Sequence, residues 1–305
     1  FSFDEAFLKN NLIFIFYFLT FLFLIKFFEY KMGIYSPKNF YNTEFKVNSK
    51  RCNYRNSMIG VIDSMEYLCH LTNKYGFYGR NWPKNEVEVF FVGDSYTKGG
   101  FFDQSQKIDQ MLFDLDNIKS YNLGIAGSNI PSIKFANYLI REKKYKPSYI
   151  FIQVVERSLG EYNNDLSVSA NPFLEVLHNL FSIKINVNFF KNYFKAKSSR
   201  NFEYKIINNS KQYFYLGKTS KIVGLENIVS NMKDYQELMQ SEGIKVFYTV
   251  VPDPETAFKN FTKIKQNNSL KNFESLANKN GLNIISLYNE FCKYPTNYYF
   301  KNDSH

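Results

Sequence analysis

Two clusters of polar residues, far apart in the sequence, carry the side chains that nucleophilic catalysis requires. Gly93-Asp94-Ser95 follows an apolar run at 87–92, and Asp303-Ser304-His305 closes the sequence. A serine nucleophile needs a base to take its proton and usually a carboxylate to orient that base. Of the three histidines in the chain, only His305 has an acid two residues away. These residues predict a catalytic triad of Ser95, His305 and Asp303.

The serine and the histidine meet only if the fold brings the two ends of this region together. From residue 87 onward, strand-like and helix-like patterns alternate. The expected strands are 87–92, 120–123, 149–155, 244–251 and 282–287, and the expected helices are 104–115, 133–143, 222–240 and 269–280. This alternation predicts an α/β fold, a parallel sheet with helices on both faces. The loops after its first and last strands share one edge, where such proteins place reacting groups.

A serine that follows a strand also has a simpler explanation. It is often the N-cap of a helix or a turn residue and takes no part in chemistry. The G-x-S-x-G elbow is absent, because the chain reads Val-Gly-Asp-Ser-Tyr, and GDSYTKGG does not match the phosphate-binding G-x-x-x-x-G-K-[ST] pattern. Gly93, Gly99 and Gly100 do permit a tight turn and close backbone approach around Ser95.

The N-terminal part of the chain has the composition of a membrane segment. Residues 12–25 read LIFIFYFLTFLFLI, without a charge, between Lys9 and Lys26. A span needs roughly 17–25 residues, so we predict that 1–30 form a single-pass anchor, an N-terminal transmembrane helix. A signal peptide and a buried core helix are the alternatives, although 28–31 offer no small-residue cleavage site. The basic residues after the span favour a cytoplasmic side by the positive-inside rule, which conflicts with an extracytoplasmic domain.

Two further segments complete the expected organisation. Residues 31–86 are polar and predict a connector that partly packs on the domain at 87–305. The interval 159–221 is too long for a crossover, so we expect an insertion. Its stretch 172–194 has helical apolar spacing and could cover the active-site mouth or pack on the flank. His178 lies on it and is expected to be structural or exposed. Because the sequence begins at Phe1 and ends at His305, we expect it to be part of a longer chain.

Composition limits the classes of partner. The net charge is +10, but the lysines are scattered singly among Asn and Tyr, which indicates a solvated basic surface and no nucleic-acid partner. Cys52, Cys69 and Cys292 show no C-x-x-C spacing, which argues against zinc, and we expect no metal site. Cys52 and Cys69 either pair outside the cytoplasm or remain buried thiols.

Taken in order, these motifs resemble the SGNH (GDSL-type) hydrolases and the related O-acetyltransferases of cell-envelope polysaccharides. Gly93-Asp94-Ser95 with Tyr96-Thr97 is similar to their first block, whose serine is the nucleophile. The stretch 121–129, YNLGIAGSN, is similar to their second block, which implies that the N–H groups of Ser95 and Gly127 form the oxyanion hole. Residues 147–157, PSYIFIQVVER, stand where the third block belongs, and Asp303-Ser304-His305 resembles the last. The resemblance covers 87–305 apart from the insertion.

Two departures from the family pattern change what the resemblance implies. Typical hydrolases present an oxyanion-binding Asn in the third block, whereas this chain has Glu156-Arg157. Arg157, with Asn129, is therefore a candidate contact for the oxyanion or the substrate, and a local salt bridge of Arg157 is the alternative. The last block reads D-x-H in place of D-x-x-H, which is closer to the membrane-associated acetyltransferase branch.

The resemblance implies a flavodoxin-like three-layer α/β/α sandwich and a serine esterase or O-acyltransferase without a cofactor. Its expected partners are an acylated polysaccharide or glycan, the membrane and a multi-span acyl-donor membrane protein. The domain would then lie outside the cytoplasm. Two other functions stay open at this point: a non-catalytic glycan-binding or assembly protein, and a lipid or thioester hydrolase on the cytoplasmic face.

The triad predicts a loss of activity on the acid side. A protonated imidazole cannot accept the serine's proton, and an unperturbed histidine titrates near about 6.5. Asp303 favours the charged imidazole and raises this pKa, so the rate should climb with pH through roughly 7. A pH–rate profile that is flat from about 5 to 9 would show that no histidine base is used.

Overall fold

A computed structural model describes most of the expected α/β domain. The described residues are 16–17, 20, 50–54, 67–99, 102–125, 127–169, 202–207, 210–215, 224–258 and 269–295. Asp303, His305 and His178 lie outside them, as does nearly all of the predicted anchor. Within the described part, no helix combines the length and the apolar character that crossing a membrane requires.

The described elements follow one another in alternation through the domain. The strands are β1 (Lys50–Tyr54), β2 (Tyr67–Leu71), β3 (Val89–Val92), β4 (Ser120–Asn122), β5 (Tyr149–Val155), β6 (Phe202–Ile207), β7 (Ser210–Tyr215), β8 (Lys245–Val251) and β9 (Ile284–Ser286). The α-helices are α1 (Ser95–Lys98), α2 (Ile108–Asp116), α3 (Ile130–Arg141), α4 (Leu225–Ser241), α5 (Pro254–Ala257), α6 (Ser269–Lys279) and α7 (Tyr288–Lys293). Short 3-10 helices lie at Lys84–Glu86, Gln104–Gln106 and Glu156–Asn163.

Five of the strands form a central sheet in which every pairing is parallel. Its order is β4-β3-β5-β8-β9. Counted along the chain within the sheet this is 2-1-3-4-5, the flavodoxin-like order. The expected α/β class, the parallel sheet and the flavodoxin-like topology are therefore confirmed. The switch point lies between β3 and β5, next to Ser95.

One face of the sheet is covered by three helices. Alternate strand residues such as Phe90, Ile152 and Tyr248 point to this face, and all three are fully buried. They pack with Leu139 of α3 and Met232 of α4 in one apolar cluster, to which α6 also contributes. Burying a large apolar side chain stabilises a fold by roughly 1.5–3 kcal/mol, so this layer is a main source of the domain's stability.

The second face carries the opposite set of strand residues and is less completely covered. Phe91, Phe151 and Phe247 form a stacked row, with ring centres 5.6 and 5.3 Å apart. Leu112 of α2 and Phe291 of α7 approach this face from its two sides and leave a cleft of about 500 Å³ between them. Helices thus occupy both faces, which gives the expected three layers.

Two antiparallel hairpins lie outside the sheet, and the sequence patterns did not predict them. The hairpin β6–β7 falls within the predicted insertion; the expected helix at 172–194 lies outside the described residues. The hairpin β1–β2 falls within the predicted connector and places Cys52 opposite Cys69. Cys69 is disulfide-bonded, whereas Cys292 carries a thiol.

The helix expected at 104–115 is divided in two. Asp103 and Gln106 form a capping box around the 3-10 turn. Lys107 is then extended, with φ −80° and ψ 144°, before α2 begins at Ile108. Apolar periodicity does not reveal such a break, because the residues on either side of Lys107 keep helical spacing. The division matters because Lys107 lies outside both helices, so its side chain does not follow the face of α2.

The loop after β4 touches the backbone of α1, and Gly124 permits this contact. A Cβ atom at Gly124 would lie 2.2 Å from the backbone nitrogen of Lys98 and 2.7 Å from its Cα. Backbone atoms cannot swing aside as the end of a flexible side chain can. This approach therefore requires glycine and joins the second strand's loop to the serine's helix.

The Gly124 contact gives a direct stability prediction. Gly124→Ala should lower the free energy of unfolding by about 1–3 kcal/mol or more, since overpacking forces backbone shifts. Gly160→Ala is the matched control, because a Cβ atom there meets nothing within 4 Å. Urea denaturation of the two variants checks the prediction, and equal midpoints for both would contradict it.

Candidate active site

Ser95 is the first residue of the single-turn helix α1, directly after the end of β3. The N-cap of this helix is Asp94, whose side chain accepts a hydrogen bond from the Tyr96 N–H at 2.9 Å. Since Asp94 supplies the cap, the simple explanation of Ser95 as an N-cap residue does not hold. Ser95 is half-buried, and it lies at the carboxyl edge of the sheet, as the strand pattern predicted.

A set of polar contacts holds the turn that precedes Ser95. The N–H of Gly93 donates to Ser132 Oγ at 3.0 Å, and this hydroxyl donates in turn to the Leu123 carbonyl at 2.7 Å. Gly93 is needed because a Cβ atom there would lie 2.0 Å from Thr97 Oγ1. The start of α3 is thereby linked to the turn after β3.

A second set holds α1 from the side of the cleft. Thr97 Oγ1 donates to Gln153 Oε1 at 2.5 Å, and Asn122 Nδ2 donates to the Thr97 carbonyl at 2.7 Å. Asn122 and Gln153 stand on the two strands that flank β3. Thus α1 is fixed by both neighbours of the strand that carries it.

Gly127 lies on the loop after β4 and is exposed. Its φ is +102°, a value that L side chains rarely adopt, and a Cβ atom there would meet nothing within 4 Å. The residue therefore borders open space at the same edge of the sheet as Ser95. This placement is compatible with the expected oxyanion donor, which stays a prediction.

Glu161 holds the loop that contains Gly127, and sequence reasoning missed it. Its Oε2 accepts from Ser128 Oγ at 2.9 Å and from the Asn129 N–H at 2.8 Å. Burial is the main cause that raises the pKa of Glu161, and the nearby Asp94 carboxylate adds to it. Its place within the 3-10 helix Glu156–Asn163 leaves no periodic signal that could have identified it.

Asn129 is a buried part of the loop after β4, and its expected role as a substrate or oxyanion contact stays a prediction. It is fully buried, and its Nδ2 donates to the Gln153 carbonyl at 3.2 Å, Ser158 Oγ at 3.0 Å and Tyr162 Oη at 2.8 Å. These groups all belong to β5 and the 3-10 helix after it. Asn129 therefore ties the second loop to the third.

Arg157 lies among residues of three different loops at this edge. Its guanidinium lies over the Tyr96 ring, 4.9 Å from the ring centre. It approaches Asp94 Oδ2 at 4.0 Å and Asp253 Oδ1 at 3.8 Å, while the Arg157 N–H donates to Asp253 Oδ2 at 3.0 Å. The charge is thus placed next to both neighbours of Ser95, between two carboxylates.

Asp253 and Glu156 are buried acids that the sequence analysis did not single out as site residues. Asp253 follows β8, and Glu156 follows β5 and accepts a hydrogen bond from Thr256 Oγ1 at 2.5 Å. Both strands end at the edge that carries Ser95. Considering every acid within two residues after a predicted strand would have found them. In the described part of the chain, no three His, Cys, Asp or Glu residues form a group that could hold a metal ion.

The cleft on the second face of the sheet begins beside α1. Its lining is mostly apolar and includes Tyr96, Phe102, Phe151, Val251, Leu287 and Phe291, with Lys107 and Gln153 among the polar residues. The predicted base and acid, His305 and Asp303, lie outside the described residues, so the triad stays a prediction that rests on the sequence.

Comparison with known proteins adds little to this geometry. No model of a protein family matches the chain, and no curated protein matches it. Among solved structures, the chain is similar to a protein from Desulfitobacterium hafniense DCB-2 described as lipolytic and of the G-D-S-L family, at 14% identity over 66% of this chain and 77% of that one, with a TM-score of 0.33. It is also similar to the acetyl xylan esterase AlAXEase, at 15% identity over 69% and 82%, with a TM-score of 0.35.

The contacts of Glu161 predict a kinetic effect. Glu161→Ala removes the acceptor that fixes residues 128–129, so the adjacent Gly127 N–H should lose its position and kcat should fall about 10- to 100-fold. Glu161→Gln keeps an acceptor oxygen and should retain most of the activity. Hydrolysis of p-nitrophenyl acetate measures both, with Glu237→Ala on the exposed side of α4 as the control. Equal rates for Glu161→Ala and Glu237→Ala would contradict the role of Glu161.

Proposed function

We propose that this chain is a membrane-anchored, SGNH-type serine esterase or O-acyltransferase that acts on acylated cell-envelope glycans. The observation that carries this proposal is the position of Ser95. It stands at the carboxyl end of the first strand of a 2-1-3-4-5 sheet, and its helix is capped by Asp94. The exposed Gly127 follows the neighbouring strand, where an oxyanion donor is needed.

In the proposed reaction, Ser95 Oγ attacks the ester carbonyl carbon as His305 takes the hydroxyl proton. Asp303 orients the imidazole, and the N–H groups of Ser95 and Gly127 stabilise the negative oxygen of the tetrahedral intermediate. The C–O bond to the leaving alcohol then breaks, and His305 returns the proton to that alcohol. Water or a sugar hydroxyl next attacks the acyl-serine while His305 takes its proton. The bond from the acyl carbon to Ser95 Oγ then breaks, His305 returns the proton to Oγ, and the acyl group, which we take to be acetyl, leaves on the attacking oxygen.

Arg157 has a supporting part in this scheme. Its contacts with Asp94 and Asp253, together with the Tyr96 ring, favour a role in fixing the loops on either side of Ser95. A guanidinium held between two carboxylates is also partly neutralised, which weakens it as a direct oxyanion donor. The oxyanion hole is therefore assigned to backbone N–H groups, and the missing Asn of the third block has no side-chain substitute in the proposal.

The disulfide at Cys69 supports placing the domain outside the cytoplasm. Disulfides persist in oxidising compartments and are rare in the reducing cytoplasm. This argument opposes the one from the basic residues that follow the proposed anchor. It favours an envelope glycan as the substrate over a lipid or thioester on the cytoplasmic face, with a multi-span membrane protein as the acyl donor if the reaction is a transfer.

A serine-directed probe tests the proposed function. A fluorophosphonate should label the folded wild-type protein, and Ser95→Ala should abolish labelling, because the probe bonds covalently to an activated serine. Ser241→Ala, at the exposed end of α4, serves as the control and should be labelled normally. Folded wild-type protein that takes up no label would favour a glycan-binding protein without catalysis. Labelling that survives Ser95→Ala would assign the chemistry to another residue.

A further inference from the structure

Lys107 is a buried lysine at the carboxyl end of α1, the helix that carries Ser95. Its side chain is only 2% exposed. The Nζ atom donates to the Gly99 carbonyl and lies 3.5 Å from the Lys98 carbonyl. Gly99 is the C-cap of α1, with φ 59°. The ammonium thus caps the carboxyl end of the helix whose first residue is Ser95.

A helix of one turn depends on such contacts. Its formation costs more conformational entropy than its few hydrogen bonds return, and its last carbonyls have no partners within the helix. A positive charge at this end interacts favourably with both the carbonyls and the helix dipole. Without it, the carboxyl end of α1 would keep its two backbone bonds, Lys98 N–H to Asp94 O and Gly99 N–H to Ser95 O, and the Phe102 N–H bond to the Gly99 carbonyl, but no charged partner for its last carbonyls.

The cost of burying the charge argues that Lys107 does more than fill space. A buried ammonium is expensive unless it is paired, and an unbranched apolar side chain would occupy the same volume without that cost. Here the ammonium lies over the Tyr78 ring in a cation–π contact, with Nζ 4.2 Å from the ring centre. The break in the helix at Lys107 lets the side chain turn toward α1 and away from the face of α2.

We propose that Lys107 is the positioning residue of the nucleophile: its ammonium fixes the end of α1 and so holds Ser95 in place for attack. The proposal rests on the proposed function of Ser95. It concerns the position of the serine and not the chemical step, since Nζ contacts the Lys98 and Gly99 carbonyls, at the opposite end of α1 from Ser95.

The charged groups around Lys107 come from every element packed against it. Asp109 stands on α2, Asp103 on the preceding turn, Lys98 on α1, and His70 on β2 stacks on Tyr78 with ring centres 4.5 Å apart. Burial lowers the pKa of His70 to about 4, so it is neutral near pH 7. Burial raises the pKa of Asp109 to about 6, so it is mostly a carboxylate at that pH.

Burial also lowers the pKa of Lys107, to about 7. Below this pH the ammonium makes charge-assisted hydrogen bonds, which are roughly twice as strong as neutral ones. As pH rises through about 7 the proton leaves, the contact with Gly99 weakens, and the position of Ser95 loosens. The enzyme should therefore lose activity on the alkaline side, whereas its acid-side loss belongs to His305.

Three variants of the full chain test the proposal. Lys107→Met removes the charge with little change of shape, Lys107→Arg keeps a charge at all accessible pH values, and Lys119→Met, on a lysine that pairs with Glu86 at the surface, is the control. The measurements are kcat and KM for p-nitrophenyl acetate from pH 5.5 to 9.5, and hydrogen exchange of the Lys98 and Gly99 amides.

The expected results separate positioning from general stability. Lys107→Met should lower kcat about tenfold at pH 6.5 while KM changes less than about twofold, and the two amides should exchange about tenfold faster. Lys107→Arg should keep kcat close to the wild-type value at pH 6.5, and its kcat should not fall on the alkaline side. Lys119→Met should match the wild type in every measurement.

Other outcomes would overturn the proposal. Unchanged kcat and unchanged exchange in Lys107→Met would show that the ammonium does not hold α1. If that variant fails to fold, Lys107→Arg decides, because an alkaline fall identical to the wild type's cannot come from Lys107. A Ser95→Ala variant that keeps full activity would instead remove the proposed function. In that case the exchange of the two amides still shows whether Lys107 holds the helix.

Discussion

The close backbone contact between the loop after β4 and helix α1 is the constraint on which the candidate site depends. Gly124 lies against the Lys98 nitrogen, at a distance where no Cβ atom fits. This contact sets how far α1 can move from the edge of the sheet, and so where Ser95 stands relative to Gly127. The parallel pairing of β3 with β4 and β5 then fixes the directions from which the surrounding groups arrive.

Polar side chains that contact α1 restrict this helix to a single position. Thr97, Asn122 and Gln153 satisfy one another on the second face of the sheet. A hydrogen bond of this kind contributes only about 0.5–1.5 kcal/mol net, but a buried group left without one costs about 1–3 kcal/mol. Alternative positions of α1 are therefore penalised more than the observed one is stabilised. In front of the serine, Arg157 keeps the carboxylates of Asp94 and Asp253 from repelling each other.

The sequence predicted the sheet well because each of its strands carries a local signal. The runs 149–155 and 244–251 are mostly apolar and end at residues that interrupt a strand, Ser148 and Glu156 for the first and Gly243 and Pro252 for the second. Both match strands of the structure within one residue. The predicted start of α3, residue 133, is three residues later than the observed start at Ile130. The prediction followed the apolar stripe and did not use Pro131, although proline suits the first turn of a helix. The order of the motifs likewise placed Ser95 and Gly127 at one edge.

Residues defined by contacts between distant parts of the chain could not be found in this way. Lys107 looks like an ordinary surface lysine in the sequence, and only the fold shows that Tyr78 and Gly99 enclose it. Glu161 acts on a loop 32 residues away, so no local pattern predicts its role. The capping of α1 by Asp94 follows the same logic, because Asp and Ser are equally good N-caps and only the structure shows which of the two is used.

The disulfide at Cys69 has a consequence for how the protein should be produced. The Cys69 N–H donates to the Asp103 side chain at 3.1 Å, and the Leu71 N–H donates to the Gln104 side chain at 3.2 Å. Strand β2 therefore holds the 3-10 turn that immediately precedes Lys107. In a reducing host Cys69 would lack its disulfide, whereas we expect the buried sheet still to form. Protein produced in this way would show the expected secondary-structure content and yet have a less firmly held turn at Gln104–Gln106, next to Lys107. Expression in an oxidising compartment, with the thiols counted after purification, is therefore the appropriate starting point for any kinetic work.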